Sequence, residues 1–221
     1  MPDPYRVALY YAPEPNDPLW QRGCAWLGRD PESGAPMPQP DIPNIAALTS
    51  DPRRYGFHAT LKPPMRLTGT LEHFLADVEN LVARTKVFAL PPLAVTRIGA
   101  FIALCPATPS PELHNLADAC VMDLDAHRRP EDAAARAKRA AGRTDSQRRN
   151  LERWGYPLVM EDWLFHMTLS NSIEHNPLVP EAEHFFADIL HLPRNAESLS
   201  VFIEPDQGSP FQLLKRFKLR A

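Results

Sequence analysis

Cysteine is scarce in this sequence, and long hydrophobic runs are absent from it. The three cysteines, Cys24, Cys105 and Cys120, form no Cys-x-x-Cys pair, so neither a disulfide framework nor a thiolate zinc site is expected. No stretch approaches the ~20 apolar residues of a membrane span, and the N-terminus lacks the basic-then-apolar layout of a signal peptide. We therefore expect a soluble, reduced protein of the cytoplasm with no membrane partner.

An excess of positive charge is also absent. The chain has 24 Lys and Arg against 27 Asp and Glu, which gives a net charge of −3 and an isoelectric point near 6.2. Binding of long nucleic acid depends on the neutralisation of many phosphates, so this balance argues against such a partner. A small charged ligand remains compatible with it.

Proline is abundant, with 25 among the 221 residues. Prolines stiffen connections and end helices and strands. Residues 30–43 contain five prolines without hydrophobic periodicity, and we expect a loop there. The chain is long enough to bury a core as one large domain or as two lobes.

The motif Phe-His-x-Thr-Leu occurs twice, beginning at Phe57 and at Phe165. Side chains alternate between the two faces of a strand, so the histidine, the threonine and the residue two positions later share a face. These residues are His58, Thr60 and Lys62 in the first copy and His166, Thr168 and Ser170 in the second. One copy alone is most often a half-buried strand with a hydrogen-bonded histidine, whereas two matching copies favour a functional site.

The pattern of elements around the two motifs repeats as well. The order strand, helix, linker, motif strand, helix, strand is predicted over residues 5–97 and again over residues 100–204. We expect a single bilobal domain of residues 1–221, with lobes related by a pseudo-two-fold axis. The motif strands would then face one another across a central cleft.

Start and stop signals bound several helices. One is predicted to start at Pro18, after an Asn-Asp pair that can cap it, and to stop at Gly28. Others are predicted after Thr70, after Ser110 and over residues 180–190.

Residues 127–155 form a basic segment, in which nine cations face four carboxylates between residues 127 and 153. It is predicted to be two short helices, the first ended by Gly142 and the second running from a capping box at Thr144 to Gly155. Either this insert is a solvated helical hairpin, or it closes over the cleft and offers Arg143 or Arg153 to a substrate anion.

Two facing imidazoles suit acid/base chemistry at phosphorus. The unperturbed pKa of histidine, ~6.5, lets one copy be neutral and the other protonated near neutral pH. One imidazole takes a proton from water while the other gives a proton to the departing oxygen, as in-line displacement requires. The threonine hydroxyls donate to the non-bridging oxygens.

Paired Phe-His-x-Thr-Leu strands in a two-lobed chain of this length resemble the 2H phosphoesterase superfamily, which includes the LigT-like RNA 2′,3′-cyclic phosphodiesterases. Residues 54–64, 153–157 and 165–169 resemble, more narrowly, its branch associated with phosphonate-utilisation operons. The resemblance implies an α+β fold that is two-lobed and pseudo-symmetric, with antiparallel sheets facing a central cleft and helices outside.

The resemblance also implies a function. It indicates metal-independent hydrolysis or transfer at a cyclic phosphodiester, with catalytic roles for His58 and His166 and phosphate contacts from Thr60 and Thr168. The neighbouring pathway points to a small phosphorylated substrate, a ribose cyclic phosphate. No cofactor is implied.

Further side chains are candidates for substrate binding, although packing or solvation is an alternative for each. Tyr10 shares a face of the first strand with Arg6, Lys62 could neutralise phosphate, and the aromatic residues could stack on a base or sugar. The candidates are Lys62, Ser170, Tyr10, Tyr55, Arg143, Arg153 and Tyr156.

Three other functions remain open. The same histidines could process or ligate RNA ends that carry a 2′,3′-cyclic phosphate, or the cleft could be a non-catalytic sensor of a phosphate ligand. A metal site on His58 and His166 is less favoured, because zinc and iron sites usually add carboxylate or thiolate ligands. Lys62 and Ser170 differ between the copies, and which histidine is the base stays open.

Overall fold

The computed structural model describes residues 3–221, and within them it contains nine strands and eight α-helices. The strands are β1 (Arg6–Tyr11), β2 (Ala59–Met65), β3 (Phe88–Leu90), β4 (Leu93–Ile98), β5 (Phe101–Pro106), β6 (Met167–Thr168), β7 (Arg194–Ala196), β8 (Ser198–Glu204) and β9 (Gln212–Lys218). The helices are α1 (Pro18–Leu27), α2 (Ile45–Leu48), α3 (Ser50–Tyr55), α4 (Leu71–Arg84), α5 (Pro111–Asp123), α6 (Ala133–Ala140), α7 (Asp145–Trp154) and α8 (Val179–Phe186).

Seven strands form one antiparallel sheet in the order β4-β5-β6-β2-β1-β8-β9, and β3 pairs with β7 in a second, small sheet. The motif strands β2 and β6 are neighbours at the centre, where Ala59 pairs with Met167. They therefore lie side by side along one sheet rather than on separate walls. The difference arises because β6 (two residues) pairs with β5 on one side and β2 on the other, which joins the strands into one sheet.

The last strand of each predicted repeat pairs within the other repeat. β4, from the first half of the sequence, pairs with β5, and β8, from the second half, pairs with β1. Each side of the large sheet therefore contains strands from both halves of the chain. Element order alone does not reveal this exchange, because it does not specify which strands pair.

The local helix signals act as predicted. Asp17 caps α1 by accepting from the backbone N–H of Leu19 at 2.9 Å, and Gly28 ends the helix with a left-handed φ of 79°. Thr70 and Ser110 cap α4 and α5 in the same way. Short helices α2 and α3 were not predicted, and α8 ends earlier than expected.

The apolar residues of both motif copies are buried, as the alternation predicts. They are at most 3% exposed and lie on the face of the sheet that forms the core: Phe57, Ala59 and Leu61 in the first copy and Phe165, Met167 and Leu169 in the second. Their burial turns the histidines and threonines toward the opposite face.

The basic insert is the predicted pair of short helices. Thr144 caps α7 by accepting from the backbone N–H of Gln147, and Gly155 ends it with φ of 71°. Across residues 3–221, no helix combines the length and apolarity needed to cross a membrane.

Candidate active site

A cavity of about 560 Å³ opens where β2 and β6 meet. Its lining includes His58, Thr60 and Thr168. Because Ala59 pairs with Met167 in an antiparallel register, continuing that register places His58 opposite Thr168 and Thr60 opposite His166. The four side chains predicted to be catalytic therefore project from one face of adjacent strands.

Both imidazoles are held by the same hydrogen bond. Nδ1 of His58 donates to the carbonyl oxygen of Gly56 at 2.9 Å, and Nδ1 of His166 donates to the carbonyl oxygen of Leu164 at 2.8 Å. In each case the acceptor lies two residues earlier, and the bond fixes the tautomer whose Nε2 carries no proton. Nε2 is therefore the ring nitrogen that remains available to accept a proton in each histidine.

Gly56 has a backbone conformation that other residues rarely adopt. Its φ is 82°, and a Cβ at this position would approach the ring of Pro31 to 2.7 Å. Glycine at position 56, two residues before His58, thus allows the backbone to present its carbonyl oxygen to the imidazole.

The surroundings of the two histidines differ. The ring of Tyr10 stacks on that of His58 with centroids 3.7 Å apart and planes 20° apart. Tyr10 pairs with Thr60, whereas Ala103 occupies the corresponding position beside Thr168. The small alanine leaves His166 less covered, with the ring of Phe101 5.7 Å away between centroids.

This difference in cover separates the acidities. The pKa of His58 is lowered to about 4, mainly by burial and to a smaller extent by the charge of His166, against the hydrogen bond to Gly56 that raises it. The two imidazoles are therefore within electrostatic range. Burial also lowers the pKa of His166, against the hydrogen bond to Leu164 that raises it. Thr60 Oγ1 lies 3.3 Å from Nε2 of His58, as expected for a hydroxyl beside an unprotonated nitrogen.

Two arginines bring positive charge to the cavity. Arg6 lines it from β1, and its Nε is paired with the fully buried carboxylate of Glu204. Arg139 lines it from α6, with its guanidinium 5.4 Å from the ring centroid of Tyr156 and paired with Glu131. Both groups are suited to a phosphate, because arginine presents several donors in a fixed plane.

Four of the predicted substrate-binding residues line the cavity: Tyr10, Tyr55, Tyr156 and Ser170. Burial raises the pKa values of Tyr10 and Tyr156, so both phenols keep their protons and remain hydrogen-bond donors. The ring of Tyr55 stacks on Phe211, with centroids 5.1 Å apart, which limits its freedom to stack on a ligand.

The prediction that Lys62 shares the face of His58 is wrong. Thr60 pairs with Tyr10 and Lys62 with Leu9, so a bulge inserts one extra residue into β2 between them. An extra residue reverses the alternation. Lys62 consequently points to the far face, where its Nζ donates to the carbonyl oxygen of Val121 at 3.0 Å.

Ser170 lies at the edge of the cavity, but its hydroxyl is already engaged. Oγ accepts from the backbone N–H of Ile102 at 3.1 Å and from the side chain of Asn176 at 2.6 Å, and donates to the carbonyl oxygen of Asn171. This hydroxyl holds β5 against the segment after β6. Its position therefore indicates a structural role rather than the predicted contact with substrate.

Arg143 and Arg153 are exposed and lie outside the lining of the cavity. Arg153 stacks instead on Trp154, 4.6 Å from its ring centroid. One alternative from the sequence was that the insert offers Arg143 or Arg153 to the cavity. In the structure the arginine of the insert that lines the cavity is Arg139, which was not among the predicted substrate-binding residues. The run of charges does not indicate which arginine of the insert lines the cavity, because the sequence gives no feature that distinguishes one arginine from another.

Within residues 3–221, no group of three or more His, Cys, Asp or Glu side chains is arranged to hold a metal ion. The three cysteines are free and buried.

The comparisons with known proteins address the family. A family described as "Protein of unknown function (DUF1045)" matches residues 60–212, which is more than half of the chain. The chain belongs to this family.

Two curated relatives of this DUF1045 protein carry the name Ribose 1,5-bisphosphate phosphokinase PhnN. The protein from Janthinobacterium sp. (strain Marseille) is 38% identical over 93% of this chain and 49% of its own length. The protein from Laribacter hongkongensis (strain HLHK9) is 34% identical over 95% of this chain and 51% of its own length. The chain thus spans about half the length of the curated relatives it matches.

Solved structures show the fold. A crystal structure of a phosphoesterase superposes with a TM-score of 0.50 and 13% identity, covering 99% of this chain and 100% of the other. E. coli LigT complexed with 3′-AMP gives a TM-score of 0.50 and 14% identity, with the same coverage. The DUF1045 protein therefore has the LigT-like α+β fold, and the predicted resemblance to the 2H phosphoesterases is confirmed at the level of fold.

Proposed function

We propose that this protein is a phosphoesterase that hydrolyses a small cyclic phosphodiester by two-histidine acid/base catalysis. The observation that carries the proposal is the matched anchoring of His58 and His166, each with Nδ1 on a carbonyl oxygen and Nε2 available for proton transfer. The arginines of the adjoining cavity supply the charge that a phosphate needs.

The difference in burial assigns the two roles in this proposal. His58, with its pKa of about 4, is neutral near neutral pH and acts as the general base. His166 lies beside the small Ala103 rather than under a stacked ring, so it holds a proton more readily and acts as the general acid.

The steps balance as follows. His58 removes a proton from water as the water oxygen bonds to phosphorus, and His166 gives its proton to the ester oxygen as the opposite P–O bond breaks. The ring opens to a phosphomonoester and a free hydroxyl. Thr60 and Thr168 donate to the non-bridging oxygens as their charge grows. Exchange of one proton between the histidines through solvent restores the starting state.

We propose a ribose cyclic phosphate as the substrate class. Opening such an ester yields a ribose phosphate, and the curated relatives are named for action on ribose 1,5-bisphosphate. This chain contains no G-x-x-x-x-G-K-[ST] phosphate-binding loop. We therefore assign the kinase in that name to the half of those relatives that this chain does not span.

The test is hydrolysis of a panel of ribose 1,2-cyclic phosphate and the four nucleoside 2′,3′-cyclic phosphates, in the presence of a chelator. His58→Ala and His166→Ala should each lower the rate by ~10²- to 10⁴-fold, as loss of a general acid or base does. His191→Ala, at an exposed position outside the cavity, is the matched control and should match the native rate. Full activity in either site variant, or dependence on an added metal, would contradict the proposal.

Processing of RNA ends is a second candidate, because the basic insert carries many exposed cations beside the cavity. RNA binding that falls steeply with salt, together with faster turnover of an RNA 2′,3′-cyclic end than of the ribose ester, would favour it.

A further inference from the structure

A second cavity, of about 350 Å³, adjoins the first. The two share a common wall, formed by residues that line both: Arg6, Pro63, Pro64, Glu131, Arg139 and Tyr156. A ligand in the first cavity therefore lies directly beside the second. None of the four side chains proposed to be catalytic lines the second cavity.

The second cavity is strongly basic. Two carboxylates, Glu131 and Asp132, face six cations: Arg6, Lys62, Arg66, Arg128, Arg129 and Arg139. Four of these cations are already paired within the protein. Arg6 pairs with Glu204 and Arg139 with Glu131, while Lys62 and Arg128 share Asp125.

Arg66 and Arg129 are the two cations left over. Both are exposed, and neither forms an ion pair with a carboxylate in the described chain from residue 3 to 221. The guanidinium of Arg66 lies 5.1 Å from the ring centroid of Tyr5, which holds it at the cavity. Asp132 forms no ion pair with either arginine; its carboxylate caps α6 by accepting from the backbone N–H of Ala135.

A backbone bridge brings these two arginines together. The N–H of Arg129 donates to the carbonyl oxygen of Arg66 at 2.8 Å, and the N–H of Thr68 donates to the carbonyl oxygen of His127 at 2.9 Å. Leu67 and Arg128 form the isolated bridge between the two segments. These main-chain hydrogen bonds join segments far apart in sequence and place Arg66 opposite Arg129, two arginines that form no ion pair with a carboxylate within residues 3–221.

We propose that the second cavity binds a phosphomonoester carried by the same substrate whose cyclic diester occupies the first cavity. A phosphomonoester has nearly two negative charges and three acceptor oxygens, and paired guanidiniums match that geometry. The inference rests on the proposed function for the chemistry of the first cavity. It makes the substrate a sugar with two phosphates, one cyclic and one terminal.

The first experiment compares kcat/KM for ribose 1,2-cyclic phosphate with and without a phosphate on its 5-hydroxyl. The native protein should prefer the phosphorylated ester, and the double variant Arg66→Ala/Arg129→Ala should lower that preference by about 10-fold or more, through KM. Lysine at both positions should restore part of the preference. Arg220→Ala, which removes an exposed arginine outside both cavities, is the control and should keep the native preference.

Equal kcat/KM for the two esters overturns the second site while leaving the phosphoesterase intact. A dinucleotide that ends in a 2′,3′-cyclic phosphate separates the two sources of a second phosphate. If its kcat/KM exceeds that of the phosphorylated ribose ester and depends on the same arginines, the second cavity binds an RNA backbone phosphate, and the assignment to a phosphomonoester is overturned.

The second experiment needs no turnover. Calorimetric titration with ribose 5-phosphate, against ribose as the blank, should show binding to the native protein that weakens about 10-fold or more in the double variant. Binding of ribose 5-phosphate without hydrolysis of any ester supports the second site. It contradicts only the proposed phosphoesterase function. Indistinguishable titrations of the native protein and the double variant overturn the site, whatever the activity.

Discussion

Single residues decide how the two motif copies diverge. The Nδ1 hydrogen bonds are the same, but Tyr10 stands beside Thr60 where Ala103 stands beside Thr168. An aromatic ring stacked on an imidazole removes water from it, and loss of water disfavours the charged form. In the proposed mechanism, this one side chain is what separates the base, His58, from the acid, His166.

The pH dependence of kcat/KM follows from these acidities, because it reports the ionisations of the free enzyme. The proposed mechanism requires a neutral His58 and a protonated His166. Activity should rise as pH increases through about 4, the pKa of His58, and fall as pH approaches ~6.5, since the pKa of His166 lies below that ordinary value. A profile of initial rates would test this, and a maximum above neutral pH contradicts it.

Removal of the stacked ring should move one limb of that profile. In Tyr10→Leu, water reaches His58, so its pKa rises toward ~6.5 and the ascending limb shifts to higher pH. NMR titration of the imidazole measures the same change directly. Phe101→Leu is the matched comparison beside His166 and should move the descending limb instead. An unshifted ascending limb in Tyr10→Leu would show that stacking does not set the acidity.

At the scale of elements, the bulge in β2 determines which face each side chain takes. Between Thr60 and Lys62 the strand gains one residue relative to β1, and the lysine turns away from the histidines toward α5. Lys62 as a residue is 2% exposed, and burial lowers the pKa of its amine to about 8. The bulge therefore converts a candidate phosphate ligand into a link between sheet and helix.

Lys62→Met separates these two roles. Loss of the hydrogen bond to Val121 should lower the free energy of unfolding by about 1–3 kcal/mol, measured by urea denaturation, while kcat for an unphosphorylated cyclic ester stays within about twofold of native at saturating substrate. A large fall in kcat with native stability would return the lysine to the catalytic face. Lys86→Met, at a position outside both cavities, is the control for loss of one lysine.

Local sequence patterns predict some features of the structure and miss others. Asp17 and Gly28 act within a few residues of the backbone they satisfy, so the bounds of α1 could be predicted, and so could the faces of His58 and Thr60. The face of Lys62 depends on register with β1, and the choice of Arg139 over Arg143 depends on how the hairpin packs. Both are contacts between distant parts of the chain, which local periodicity does not encode.

At the scale of the whole molecule, the halves of the chain depend on one another. β4 and β5 form a hairpin around Gly99 and Ala100, and this hairpin joins the two repeats. A cut there separates β4 from β5 and β8 from β1, so each piece retains a strand without its partner. Strands with unpaired edges and an incomplete apolar face are unstable alone.

Residues 1–99 and 100–221, expressed separately, should therefore each lack a cooperative thermal transition by circular dichroism. Mixing them should restore the transition and the activity of the native chain. A fragment that folds alone would show that the exchanged strands contribute little to stability.

The pairing of β4 and β8 with strands from the other half of the chain also bears on how the protein evolved. Each half of the sequence supplies one histidine and one threonine to the paired motif strands, so a chain of half this length could build the same set of four only by pairing with a copy of itself. In such a pair every substitution would alter both histidines at once. In one continuous chain the two positions can change separately, and the contrast between Tyr10 beside Thr60 and Ala103 beside Thr168 is an asymmetry of that kind.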